Sequence, residues 1–169
     1  MVGGDARVGH IALQLVRVLG ASRVVAIDTD ERRRSLARDL GADEVLGEQP
    51  DVAGAARELT DGAGVDVVVD FVGTDDTHAA ALGMLARQGV YSIVGYGGAI
   101  THPSVGFVVG ETSLFGNLVG NWIDLWELLQ LHARGDVTLR SETHPLEEVN
   151  DVLDKLREGE VTGRAVLVP

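Results

Sequence analysis

The sequence predicts an α/β fold, a doubly wound parallel sheet with strand order 3-2-1-4-5-6. Three observations predict it. Strand-like and helix-like stretches alternate from residue 11 to residue 119. The stretch Gly4-Asp5-Ala6-Arg7-Val8-Gly9 reads G-x-A-x-x-G and runs straight into a helical pattern. It lies one methyl group from the G-x-G-x-x-G turn that lays a pyrophosphate on a helix N-terminus. Finally, Asp28 closes the next strand nineteen residues past Gly9, where a carboxylate accepts hydrogen bonds from a ribose.

The elements follow in order. Only Met1-Val2-Gly3 precede the fingerprint, so the chain is expected to begin inside its first strand, as a fragment. Gly4 permits the tight turn, Ala6 stands where the backbone nears the phosphates, and Gly9 allows close packing of helix on strand. The first helix, from Ile11 with apolar residues on one face, stops at Leu19-Gly20. Residues 23–27 form the β-branched second strand, residues 30–40 a helix closed by Gly41, and residues 43–46 the third strand. A helix over 51–59 leads to the clearest buried strand, 65–73, whose apolar run suits the centre of a parallel sheet.

A helix over 76–85, a turn at Gln88-Gly89 and a fifth strand over 90–94 come next. Residues 101–110 read as irregular, and residues 114–119 as a sixth strand. A helix over 121–133 places Trp122, Leu125, Leu128 and Leu129 on one face. Residues 139–143 form a short extended piece. A helix over 145–158 turns Val149, Val152, Leu153 and Leu156 inward, and residues 163–169 form a last strand.

Composition sets bounds. At 169 residues and 45% hydrophobic the chain can bury a sizeable core. With no Cys it forms no disulfide and no Cys-ligated zinc site. A net charge of −12 argues against sequence-independent nucleic-acid binding, which needs basic surface. No apolar run reaches membrane length and no signal peptide is evident, so a soluble, cytoplasmic protein is expected, without membrane contact.

The cofactor reading is NAD: a carboxylate at Asp28 accepts from both ribose hydroxyls and repels a 2′-phosphate. The run Arg32-Arg33-Arg34 reads either as a solvated face or as the source of one arginine that reaches the same ribose. His10 reads as a packing or capping residue. His78, His102, His132 and His144 lack metal-site spacing, and Ser92 and Ser113 lack the G-x-S-x-G context of a nucleophile. Glu147-Glu148 and Glu158 with Glu160 read as solvated faces.

The ordered set Val8-Gly9-His10, Arg38-Asp39-Leu40-Gly41-Ala42-Asp43, Asp70-Phe71-Val72-Gly73, Gly89 with Val94-Gly95-Tyr96, Pro145-Leu146-Glu147-Glu148 and the stretch 158–166 resembles the medium-chain, zinc-dependent alcohol dehydrogenases. The likeness covers nearly the whole chain. It implies a Rossmann-type NAD-binding domain over 1–120 and a C-terminal tail over 121–169, with the N-terminal catalytic domain, and its zinc, absent. It implies that Gly4, Asp5, Ala6, Arg7 and Val8 line the pyrophosphate and that Asp28 and Arg33 hold the adenosine ribose. Phe71, Val72 and Gly73 would flank the adenine-ribose side and the middle of the cofactor. Val94, Gly95, Tyr96, Asn117 and Val119 would lie near the nicotinamide carboxamide, and Arg164 near the pyrophosphate.

No catalytic or metal-binding residue is expected in this segment, and the segment alone is expected to be inactive. Ala6 and Trp122 depart from the family pattern. The resemblance implies hydride transfer between an alcohol and a carbonyl, and a homodimer joined through strand six. Two other readings stand beside it. One is a zinc-independent quinone or enoyl reductase of the same superfamily, against which Asp28 counts. The other is a non-catalytic NAD-binding module, against which the apolar faces of the tail count.

Overall fold

The computed structural model describes residues 8–21 and 23–169. The fingerprint residues Gly4, Asp5, Ala6 and Arg7 and the expected first strand lie outside them. Helix α1 (Gly9–Val18) ends at Leu19, with Gly20 at φ 101° taking the left-handed turn. Its Leu13 is buried against Val24 and Ala26. Strand β1 (Val25–Ile27) pairs in parallel with β2 (Glu44–Leu46), Ala26 opposite Val45. Between them α2 (Glu31–Asp39) starts at Asp30, whose carboxylate accepts the N–H groups of Arg32 and Arg33.

Helix α3 (Val52–Glu58) is capped by Asp51 and leads to β3 (Val65–Asp70). Helix α4 (Asp75–Met84) opens with a capping box between Thr74 and Thr77. It leads into β4 (Leu85–Ile93), helix α5 (Ser104–Gly110) and β5 (Ser113–Gly116). Strands β3, β4 and β5 form a parallel set in that order, with Tyr91 of β4 between Val68 and Leu114. The main core gathers Val25, Ile27, Ala56, Val68, Ala81, Met84, Leu85 and Tyr91, side chains that the parallel strands and their covering helices jointly remove from water.

After α6 (Trp122–Ala133), strands β6 (Ser141–Pro145) and β7 (Arg164–Val168) make a separate two-stranded parallel sheet. A 3₁₀ turn (Leu146–Glu148) and α7 (Val149–Arg157) connect them. A side-chain amide ties the two regions together. Gln14 of α1 donates to the Thr138 carbonyl at 3.0 Å and accepts the Thr138 N–H at 2.7 Å. No helix among the described residues is long and apolar enough to cross a membrane.

The parallel α/β architecture matches the expectation, and both described groups of strands are neighbours in the expected order. Several details differ. Residues 104–110, read as irregular, form α5: Pro103 precedes its first turn, and Glu111 ends it in the left-handed region at φ 53°. Two glycines and three valines hid that helix from a propensity reading. The sixth strand is shorter than expected, because β5 stops at Gly116 and Asn117 turns its amide onto Ser92 and Ile93.

The fifth strand is longer: β4 absorbs Gln88-Gly89 as a register irregularity opposite β3. Pro145 ends a strand instead of opening a helix. In α7 only Val152 is buried, and Leu153 is exposed. In α6 the expected apolar face is largely uncovered: Trp122, Leu125 and Leu129 are exposed, together with Ile123 and Trp126.

Candidate cofactor cleft

A cleft of about 690 Å³ opens over the carboxyl ends of β1, β2 and β3. In open parallel sheets this is where ligands lie. Ile27, Asp28, Thr29 and Arg33 form one wall, residues 47–53 the next, and Val72, Thr74, Asp76, Thr77 and Ala80 the third. Among the described residues Asp28, Glu48, Asp51 and Asp76 line it against the one arginine Arg33, so the cleft favours hydroxyl donors over a phosphate.

Asp28 is placed by the turn after β1. Its Oδ1 accepts the Asp30 N–H at 2.9 Å and lies 3.8 Å from Arg33 Nη1. Burial raises its carboxyl above the ordinary aspartate value, outweighing the lowering by the Asp30 N–H and Arg33. The cap of α2 is Asp30, so Asp28 is not spent on that helix. Arg34 is engaged elsewhere, donating to the Asp28 and Thr29 carbonyls at 2.8 Å each and pairing with Glu31 at 2.6 Å.

The third wall is organised from beneath by Asp70, the last residue of β3, which is fully buried. Its Oδ1 accepts the N–H groups of Val72 (2.8 Å) and Gly73 (3.1 Å). Its Oδ2 accepts the hydroxyls of Tyr91 and Thr77, both at 2.8 Å. Burial, with Asp70 alongside, pushes the Tyr91 phenol well above its usual range, so it keeps the proton it donates. That proton is committed to Asp70, so the 2.6 Å contact of Tyr91 with His78 Nδ1 is a hydrogen bond donated by the imidazole.

The Asp70 carbonyl accepts Val94 and Gly95 N–H groups at 2.8 and 2.9 Å, which holds the loop after β4 against the loop after β3. The two loops touch backbone to backbone. A Cβ at Gly95 would strike Phe71 and Val72, and one at Gly73, where φ is 72°, would strike Gly95.

Among the described residues the start of α1 has no side-chain cap and no acid in its first turn, as at α5, whereas α2, α3, α4 and α6 carry side-chain caps. Such an end suits an anionic ligand group.

The structure brings Asp28, Arg33 and Val72 together on one cleft and sets Phe71 and Gly73 beside it, their backbones against Gly95. Val8 and Gly9 stand at the start of α1. Tyr96 and Val119 are almost fully exposed. Val119 holds φ 45°, a left-handed backbone rarely adopted by a β-branched residue. The Asn117 amide is used on Ser92, Ile93 and Phe115. Arg164 opens β7, its N–H on the Arg140 carbonyl, and does not line the cleft. The sequence reading missed Thr74, Asp76 and Thr77. The T-D-D-T run after a buried strand was the available signal, a polar helix start at the carboxyl edge. Among the described residues no three His, Cys, Asp or Glu side chains are grouped to hold a metal ion.

The sequence profile of the zinc-binding dehydrogenases matches residues 8–134. The NAD-dependent alcohol dehydrogenase of Sulfolobus acidocaldarius is 35% identical over 99% of this chain and 49% of its own length. The crystal structure of the alcohol dehydrogenase from the archaeon Aeropyrum pernix superposes with a TM-score of 0.91 at 42% identity, over 99% of this chain and 49% of that one. A D-arabinose 1-dehydrogenase (NADP(+)) of Saccharolobus solfataricus is 30% identical over 96% of this chain and 48% of its own length. The chain thus spans about half the length of the curated relatives it matches.

Proposed function

The chain belongs to the zinc-binding dehydrogenase family, and on that premise we propose that it is the NAD-holding part of an alcohol dehydrogenase. The observation that carries the cofactor choice is Asp28 on the wall of an acid-lined cleft. Because similar proteins include one named for NADP, that choice rests on the cleft and not on the family alone. Asp28 accepts from the adenosine ribose hydroxyls, with Arg33 beside it, and a 2′-phosphate there would meet four lining carboxylates. Val72 and Thr77 bound the adenine side. The uncapped start of α1 at Val8 and Gly9, with Gly4, Asp5, Ala6 and Arg7 before it, takes the pyrophosphate, and Arg164 approaches it from the tail.

Phe71 and Gly73 flank the middle of the cofactor. Val94, Gly95, Tyr96, Asn117 and Val119 border the nicotinamide, and the strained backbone of Val119 supports a functional role there. Bound in this way, NAD supplies the ring that accepts hydride from an alcohol or returns it to a carbonyl. The residues described hold and orient the cofactor. The zinc that would polarise the substrate oxygen belongs, by the family resemblance, to the catalytic domain.

In this reading residues 1–120 form the cofactor domain and residues 121–169 a tail whose exposed α6 face packs on the catalytic domain. The edge strand β5 joins two copies into a homodimer, since an exposed apolar edge is a template for pairing. Reduction of NAD by the intact protein with simple alcohols, followed as NADH absorbance, tests the proposal. Turnover with NADP and none with NAD would overturn it.

A further inference from the structure

We infer that Asp70 is a positioning residue for the dinucleotide, acting through the cleft wall it holds; this rests on the reading of the cleft as the adenosine end of an NAD site. One carboxyl group holds two parts of the third wall, the loop after β3 and the start of α4. Its Oδ1 fixes the backbone of Val72 and its Oδ2 fixes the hydroxyl of Thr77, and both residues line the cleft. The backbone carbonyl of the same residue fixes Val94 and Gly95, the loop assigned to the other end of the cofactor. Asp70 therefore registers the adenosine-side loop against the nicotinamide-side loop, although it is fully buried and does not itself line the cleft.

The relay behind it keeps the carboxyl from rotating. His78 donates to Tyr91, and Tyr91 donates to Asp70. All three side chains are almost fully buried, where a satisfied polar network is rigid and a broken one is costly. A carboxyl group used only for packing would not need its acceptor directions shared between a loop, a helix start and a neighbouring strand.

The experiment measures AMP and NAD binding to the intact protein by calorimetry, with thermal melts alongside, for the unmodified protein, Asp70→Ala, Asp70→Asn, Tyr91→Phe and Val152→Ala. Asp70→Ala is expected to weaken both ligands by about tenfold or more, the scale of one charge-assisted hydrogen bond. Asp70→Asn is expected to recover most of that loss, because its amide keeps an acceptor for Val72 and Gly73 and donates to the hydroxyls of Thr77 and Tyr91. Tyr91→Phe, which does not line the cleft, is expected to weaken both ligands about threefold, which a packing role alone would not do. Val152→Ala, buried in α7, is expected to lower the melting temperature without moving either affinity.

Undiminished affinity in Tyr91→Phe or in folded Asp70→Ala overturns the inference, as does an affinity loss in Val152→Ala that tracks its melting temperature. If Asp70→Ala does not fold, Tyr91→Phe decides. Absence of NAD and AMP binding by the unmodified protein overturns the reading of the cleft, and this inference with it.

Discussion

Asp70 and Tyr91 sit on adjacent parallel strands and share a 2.8 Å hydrogen bond inside the core, where neither side chain meets solvent. Asp70 stands opposite Ile93 and Tyr91 opposite Val68, so the bond runs diagonally across the ladder, just before both chains leave the sheet to form the cleft. A polar contact at that point gives the loops a common anchor that apolar packing, which is non-directional, would not supply.

Tyr91→Phe deletes that anchor and leaves His78 Nδ1 facing no hydroxyl. The expected cost is about 1–3 kcal/mol of stability, the penalty for unsatisfied buried polar groups. Urea unfolding with an unchanged slope checks it. A variant as stable as the parent would show that the network contributes nothing to the fold.

Asp28 carries a stability–function conflict. Burial raises its carboxyl, so its folded state favours the protonated form, and that contribution to stability is lost as pH rises through the folded value. Asp28→Asn is therefore expected to melt no lower than the parent at neutral pH while binding NAD less tightly. In the parent, NAD affinity is expected to fall on acidification from a higher pH than an ordinary aspartate would dictate, and Asn should flatten that limb. Calorimetry across pH checks both. A parent whose affinity is flat from neutral pH to the ordinary aspartate range contradicts the account.

Gly95→Ala places a methyl group against the Phe71 and Val72 backbone. Because backbone cannot swing aside as a flexible side chain does, the two loops must separate. The expected loss is about 1–3 kcal/mol, the usual cost of overpacking, together with weaker NAD binding. Thermal melting with and without NAD checks it, and an unchanged NAD-induced shift contradicts the loop contact.

The proposed dimer is tested at β5 and α5. Phe115 and Val108 are exposed, whereas Leu114 packs against the core and is a poor probe of association. Phe115→Lys with Val108→Lys is expected to convert a dimer to a monomer by light scattering, with the melt little changed at low protein concentration. A monomeric parent at tens of micromolar, or a dimer indifferent to both lysines, rejects this interface.

The alternation of β-branched runs with capped helices makes the parallel α/β fold legible in the amino-acid order itself, because strand burial and helix capping are local signals. Asp28 is legible for the same reason: it ends a strand at a fixed distance from a glycine-rich turn. Helix α5 is not, since valine and glycine propensities point away from a helix, yet it runs from Pro103 to a left-handed stop at Glu111. The role of Asp70 is hidden as well. Its partners Tyr91 and Thr77 are distant or unremarkable in sequence, and only the register of β3 on β4 brings Tyr91 to it. The exposed apolar face of α6 shows the limit of periodicity, which marks a face for burial without saying what buries it.

A paired titration of the intact protein with NAD and NADP, repeated on Asp28→Ala, tests the role of Asp28 most directly. NAD is expected to bind at least about tenfold tighter than NADP, through a repelled 2′-phosphate and lost ribose hydrogen bonds, and the gap is expected to narrow in the variant. Equal affinities in the parent, or a preference for NADP, would contradict that role.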